Sequence, residues 1–396
     1  MNKLTIRDIN LKDKKILVRV DYNVPLTSNG EIADDTRITA TLPTIEYIIK
    51  NRGVAILISH LGKPKGKVVK ELSLRPVAQR LSELLGQEVV FIEDLFSPSL
   101  KTTLDQAQGG SVFLLENLRF FPEEEKNDED FSRYLASLGD IYVNDAFATA
   151  HRAHASTYGV AKFSSYAVAG FLMEREISYL SYLLSEPQRP YVAIIGGAKI
   201  KDKLGVIKNL ISKVDYLLLS GGLVFNFFKV MGYEIGKSIY DSEMEEETKK
   251  LIDLNSLKLH LPTDILIANN LTEDAEVKNV KINEILQNWI GVSLGDETTK
   301  KYSDIIKQAK TIVWAGPVGI FEVDKFIKAS QKIGEAIVSA TENGATSVIG
   351  GGDTVACLSK LGIKDKVSYV STGGGATLEF LEGKTLPGIE ILNEKK

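Results

Sequence analysis

Eleven short apolar segments alternate with stretches of helical period along almost the whole chain, and this alternation restricts the fold more than any other feature. The strand candidates are residues 16–20, 54–59, 89–92, 112–115, 141–143, 192–195, 216–219, 265–268, 311–314, 347–349 and 367–370. Between them, residues 39–50, 74–85 and 326–338 carry apolar side chains at helix spacing. Strands separated by helices pair in parallel through right-handed crossovers, so the fold class is α/β with doubly wound parallel sheets. Eleven strands exceed one comfortable open sheet and divide between two. A chain of 396 residues is long enough for two or three domains.

The best boundary lies in residues 171–190, where Leu172, Arg175, Glu176, Tyr179, Leu180, Leu183 and Leu184 fit one long helix. Glu186, Pro187, Gln188, Arg189 and Pro190 end that helix before the strand at Tyr191. Composition shifts at the same place: all eleven arginines lie at or before Arg189, and twenty-two of the 32 glycines lie after it. Formal charge is −4, and no basic helix with interleaved aromatics is present, which argues against nucleic acid and membrane surfaces as partners. The single Cys357 forms no intramolecular disulfide and reads as buried packing, and the N-terminal residues lack an apolar core, so the expected location is the cytoplasm.

In the second half, strand after strand runs into glycine: Gly196 and Gly197, Gly221 and Gly222, Gly316, Gly350 to Gly352, and Gly373 to Gly375. Ligands bind at the carboxyl ends of strands in a doubly wound sheet. Glycine there lets backbone approach a ligand closely, and the following helix offers free amides to phosphate. No dinucleotide fingerprint follows any strand, and the segment from Gly232 to Ser238 is one residue short of a phosphate-binding loop. GGAKIKDK instead places Lys199 and Lys203 one helical turn apart, and GGGDT places Asp353 and Thr354 at a helix start. Lysines clamp a transferring phosphoryl group, and a carboxylate beside phosphate holds magnesium.

The first half ends its strands in polar and cationic residues: Asp21 and Asn23, His60 and Lys63, Asn117 and Arg119, then Asn144, Asp145, His151, Arg152 and His154, with Arg37 shortly after the first strand. Arginines and histidines converging at one sheet edge suit a small anion bearing phosphate and carboxylate, because guanidinium grips both groups bidentately.

Seven motifs then carry a resemblance: VRVDYNVP (18–25), SHLGKP (59–64), LLENLRF (114–120), NDAFATAHRAHAST (144–157), GGAKIKDK (196–203), GGGDT (350–354) and STGGGATLEFLEGKTLPG (371–388). In this order, from end to end, the chain resembles the phosphoglycerate kinase family. The resemblance implies two Rossmann-like domains, residues 1–171 with the C-terminal segment 384–396 and residues 190–383, joined by the helix of 172–189 and a hinge. It implies phosphoryl transfer between 1,3-bisphosphoglycerate and MgADP by a monomer acting on small molecules alone. Carried over by position, Asp21, Asn23, Arg37, His60, Lys63, Arg119 and Arg152 resemble the phosphoglycerate site. Arg37 and Lys199 resemble the catalytic cations. Gly197, Lys199, Lys203, Gly221, Glu322, Gly351, Gly352, Asp353 and Thr354 resemble the site for ADP or ATP, with Asp353 nearest Mg2+. Two other readings of the residues stay open, a different kinase acting on a small acid and a two-domain protein that closes on an anion without chemistry.

The sequence departs from the family pattern at Lys63, where arginine is usual, at Ala148, at Ala315 within the stretch from Trp314 to Pro317, at Leu223, and across residues 292–298. Most departures fall in the nucleotide half.

Overall fold

Parallel strands covered on both faces need unbroken apolar sequence, and the runs of the first half meet that need by forming one six-stranded sheet. In the computed structural model, which describes residues 2–253 and 257–395, the strands are β1 (Lys15–Arg19), β2 (Val54–Ile58), β3 (Val89–Ile92), β4 (Val112–Leu115), β5 (Ile141–Asn144) and β6 (Ala167–Ala169). Their order is β3-β4-β2-β1-β5-β6, all parallel. The second sheet holds β7 (Tyr191–Ile195), β8 (Tyr216–Leu219), β9 (Leu259–His260), β13 (Thr311–Ala315), β14 (Thr346–Gly350) and β15 (Tyr369–Val370). Its order is β15-β14-β13-β7-β8-β9, again all parallel. The winding reverses between β1 and β5 in the first sheet and between β7 and β13 in the second, and such switch points are where open α/β sheets bind ligands.

The eleven expected strands are all present, with bounds within two residues. One of them, β10 (Asp264–Ala268), lies outside both parallel sheets. It is the centre of a separate antiparallel sheet, between β11 (Val277–Lys281) and β12 (Ile290–Leu294). The reason is local connection length: β10, β11 and β12 follow one another without a crossover helix, and strands joined that way pair antiparallel.

The chain divides into two compact units, Met1–Ser178 with Thr385–Lys396, and Tyr179–Lys384. The first has its core around Val18, Leu57, Leu114 and Val143, and the second around Ile194, Trp314, Ile333 and Ile349. Residues Thr385–Lys396 are tied into the first unit by backbone: Gly388 N–H donates to Ala150 O at 2.8 Å, Leu4 N–H to Asn393 O at 2.8 Å, and Asn393 N–H to Ala167 O at 2.8 Å. No helix among the described residues is long and apolar enough to cross a membrane.

Helix bounds follow local chemistry. The helix Arg75–Leu85 has proline in its first turn, buries Val77, Ala78 and Leu81 on one face, and stops at Gly86 with φ of 63°. The helix Phe171–Leu184 is capped from below. Asp145, fully buried just after β5, accepts from Met173 N–H at 3.1 Å through Oδ1. Gly170 leaves the room for it, since a Cβ there would lie 2.3 Å from Oδ1.

Burial pushes the Asp145 carboxyl up to about 7, against the opposing hydrogen bonds from Thr44 and from the Met173 and Leu172 amides. An unfolded Asp titrates near 3.9, so the folded chain keeps a proton that the unfolded chain releases, and stability falls as pH rises from about 4 through 7. The penalty at saturation is on the order of 4 kcal/mol at 1.36 kcal/mol per pKa unit. Asp145→Asn keeps the shape without the titration. Urea midpoints measured from pH 4.5 to 8 are expected to decline less in the variant than in the parent.

Candidate functional site

Parallel pairing brings the carboxyl ends of β1, β2, β4 and β5 to one edge, and with them the residues the sequence singles out. Asp21 follows β1, and its Oδ2 is ion-paired with Arg37 Nη1 while Oδ1 accepts from Asn23 N–H at 3.2 Å. Asn23 Oδ1 in turn accepts from Gly62 N–H at 2.8 Å, after β2. Arg119, after β4, is buried and donates through Nη1 to Gly62 O at 2.9 Å. Asn117 shapes this turn, accepting from Arg119 N–H at 3.1 Å and donating to Leu61 O at 2.7 Å. Arg152 lies beyond β5 with its Nε 3.2 Å from His151 Nε2. Lys63 is exposed on the loop that Arg119 holds.

His60 records how close these cations stand. Burial first, and then the charges of Arg19, Arg119, Arg152 and Arg37, hold its imidazole well below the usual range. His154 is held down to about 4 by burial and by Arg119, Arg19 and Arg152. Both rings are neutral at pH 7, so the positive charge of this edge is guanidinium charge.

Three residues here were not among the candidates. Arg19, at the end of β1, is 1% exposed and donates through Nε to Ser156 Oγ at 2.8 Å. Ser156 donates from Oγ to Glu124 Oε1 at 2.6 Å and from its amide to Oε2 at 2.9 Å. The available signal was a guanidinium closing an otherwise apolar strand, because such a strand is buried on both faces.

In the second unit, the loops after β7 and β13 meet backbone to backbone at the switch point, where Gly197 N–H donates to Pro317 O at 3.0 Å. From the loop after β8, Gly221 N–H donates to Val318 O at 3.2 Å, and Gly316 N–H donates to the Thr354 hydroxyl, after β14, at 2.7 Å. Glycine is required at both loops: a Cβ on Gly196 would lie 2.2 Å from Pro317 O, and Gly316 has φ of 98° with its Cβ position 2.1 Å from Gly196 O. On one side of this seam is a mostly apolar cavity of about 400 Å³, walled by Gly197, Gly221, Phe225, Ile239, Ile265, Ile320, Phe321, Glu322 and Asp353. On the other is a glycine-lined hollow of about 430 Å³ holding Lys199, Lys203, Gly351, Gly352, Asp353 and Thr354. Asp353 lines both. All nine residues expected on the nucleotide side therefore border one or other cavity.

Two expectations change in detail. Lys199 and Lys203 do not share a helical face, because residues 199–203 form a loop and turn before the helix Leu204–Leu210. Lys199 is exposed, and Lys203 is buried with its pKa lowered, burial outweighing the opposite charges of Asp202, Asp353 and Glu382. Lys237 lies in the near-miss segment after the helix Val224–Val230, not after a strand, yet it lines the apolar cavity. Ser293 also lines it, with a buried hydroxyl that has no hydrogen-bond partner among the described residues.

An anion site of guanidinium groups in one α/β unit and a glycine-walled double cavity in the other are the make-up of a phosphotransferase. A model of the family described as phosphoglycerate kinase matches residues 6–384. The chain belongs to that family. It is 48% identical over 400 residues to a phosphoglycerate kinase of Gloeothece citriformis, covering 100% of both chains. It is 50% identical to one of Chlorobium luteolum, covering 99% of this chain and 100% of the relative. Among solved structures, the phosphoglycerate kinase of Coxiella burnetii superposes with a TM-score of 0.90 at 41% identity, and that of Pyrococcus horikoshii with 0.83 at 31%, each covering 98% of both chains.

The seam between the loops gives a direct test. Gly196→Ala forces a methyl group into Pro317 O, and overpacking of this kind costs about 1–3 kcal/mol. The urea midpoint is expected to fall, and calorimetry is expected to show ADP binding at least about tenfold weaker, with 3-phosphoglycerate binding unchanged.

Proposed function

We propose that the chain catalyses reversible phosphoryl transfer between 1,3-bisphosphoglycerate and MgADP, giving 3-phosphoglycerate and MgATP, as a step of glycolysis and its reversal. The observation that carries this reading is family membership along residues 6–384, together with relatives of that name covered end to end. On this reading Asp21, Asn23, Arg37, His60, Lys63, Arg119 and Arg152 take the phosphoglycerate. Gly197, Gly221, Lys203, Glu322, Gly351, Gly352 and Thr354 take the nucleotide, its base in the apolar cavity and its phosphates in the glycine-lined hollow.

The chemistry needs no general base. In the ATP-forming direction the nucleophile is an ADP phosphate oxygen, and in reverse it is a carboxylate with a pKa near 4, already ionised at pH 7. Catalysis then reduces to alignment and to neutralising charge on the group in flight. Arg37 and Lys199 are the cations assigned to that task, and the neutral His60 is a hydrogen-bonding group. Among the described residues no cluster of three His, Cys, Asp or Glu side chains could hold a metal by itself. Asp353 is an exposed carboxylate shared by both cavities, which fits a Mg2+ bound chiefly by nucleotide phosphates with one protein carboxylate beside it. When bound, the ion supplies neutralisation of phosphate charge.

Two sets of variants test these roles. Asp353→Ala is expected to weaken MgADP binding and turnover while leaving 3-phosphoglycerate binding without nucleotide intact, measured by calorimetric titration of each ligand. Loss of phosphoglycerate binding with MgADP binding retained would put Asp353 in the wrong site. Arg37→Ala and Lys199→Ala are expected to lower kcat by several orders of magnitude, since such contacts are worth about 3 kcal/mol or more each. His60→Gln is expected to act mainly on KM for 3-phosphoglycerate. A dead His60→Gln beside near-normal cation variants would overturn the mechanism.

A further inference from the structure

His60 Nδ1 stands between two possible partners that demand opposite protonation. Asp21 Oδ1, at 3.8 Å, would favour a proton on Nδ1. Arg19 Nη2, at 3.1 Å, requires a lone pair there, because a guanidinium only donates. Distance decides between them: 3.1 Å is a hydrogen bond and 3.8 Å is not. Asp21 is in addition already engaged, by Arg37 on one oxygen and by Asn23 N–H on the other.

We infer that Arg19 is a positioning residue for the substrate site: by donating to Nδ1 it fixes His60 as the Nε2–H tautomer, so that Nε2 presents a donor to an anionic ligand. The identity of that ligand rests on the proposed function. The burial of His60 and the guanidinium groups around it keep the ring neutral, so it carries one proton, and Nδ1 cannot hold it. Among the described residues Nε2 makes no hydrogen bond, and it is left to the ligand. The tautomer sets the sign of the contact. Nε2–H attracts a carboxylate or phosphate oxygen, whereas the other tautomer would aim a lone pair at it.

Arg19 can serve only if it is itself fixed, and counting protons shows how that is done. Ser156 has one hydroxyl proton and gives it to Glu124 Oε1 at 2.6 Å, which turns a lone pair toward Arg19 Nε at 2.8 Å. Glu124 is buried, and its second oxygen accepts from the Ser156 amide at 2.9 Å. Arg19 Nη1 donates to Val20 O. The chain of donation therefore runs in two directions from one guanidinium, to Ser156 and Glu124 behind it and to His60 in front.

The test is nitrogen-15 spectroscopy of the histidine rings in the full chain, with kinetics in parallel. In the parent, His60 is expected to show a protonated Nε2 and an unprotonated Nδ1 throughout pH 6 to 8. In Arg19→Met, Nδ1 is expected to gain a proton facing Asp21, and KM for 3-phosphoglycerate to rise roughly tenfold, the loss of about one hydrogen bond to a charged group. Should Arg19→Met not fold, Ser156→Ala is the milder variant, expected to give a mixture of the two ring forms and a smaller rise in KM. A proton on Nδ1 in the parent, or a parent-like ring pattern in whichever variant folds, overturns the inference. Adding 3-phosphoglycerate tests the substrate assignment separately: a ring in the Nε2–H form that does not respond to it sinks that assignment and leaves the tautomer standing.

Discussion

Parallel pairing is the constraint from which the rest of this structure follows. Because every strand of a parallel sheet points the same way, every strand delivers its next residues to the same edge, and four strands of the first sheet deliver Asp21, His60, Asn117, Arg119 and Arg152 there. The same geometry in the second sheet sends five glycine loops to one edge, where β7 and β13 meet at the reversal of winding. Pairing of strands far apart in sequence assembles both sets. It is enough that the apolar runs find their register, which β1 does against β2 and β5 at once.

The two edges solve different electrostatic problems. The first gathers four guanidinium groups around one neutral imidazole; the buried Asp21 pairs with Arg37, and a second buried carboxylate, Glu124, lies behind Arg19, the most buried of the four. Burial raises the pKa of that carboxylate, opposed first by the Arg19 charge and then by the Ser156 hydroxyl and amide. A buried charge is costly unless paired and hydrogen-bonded, and the Arg19–Ser156–Glu124 chain supplies both through one hydroxyl. The second edge mixes charges of both signs, with Lys199, Asp202, Lys203 and Asp353 at the hollow and Lys237 and Glu322 at the apolar cavity. It uses backbone amides and close glycine contacts, with Lys199 exposed and Lys203 buried at one end of the hollow.

Most of this was legible in the sequence for a physical reason: strands buried on both faces have to be apolar, and the polar residues that follow them have little choice of place. The readable positions were those just past a strand. What escaped was of three kinds. Arg19 sits within the expected strand and closes it, so strand periodicity hid it. Glu124 lies in a run of three glutamates at a helix start, and only the packed structure shows that the middle one turns inward. The antiparallel insert escaped because β11, reading Val277, Lys278, Asn279, Val280, Lys281, is a half-exposed edge strand whose polarity resembles loop. Of the departures from the family pattern, Val292 and Ser293 line the apolar cavity of the second unit, and the buried Ser293 hydroxyl has no hydrogen-bond partner among the described residues.

The hydrogen bonds from Gly388 and Asn393 to Ala150 and Ala167 make the first unit discontinuous in sequence. During synthesis, the ribosome therefore finishes the main body of this unit and then adds about 200 residues of the other before the closing segment exists. At roughly 5–20 residues per second that is an interval of about 10 to 40 s. Through it, Ala169 at the outer edge of β6 has Leu4 as its backbone partner while Ala167 still lacks Asn393, and an incompletely covered sheet edge is a template for pairing with another chain. The second unit is uninterrupted and meets no such delay. The order of completion is thus the reverse of the order of synthesis, and the last dozen residues act as the closing clasp of the part made first.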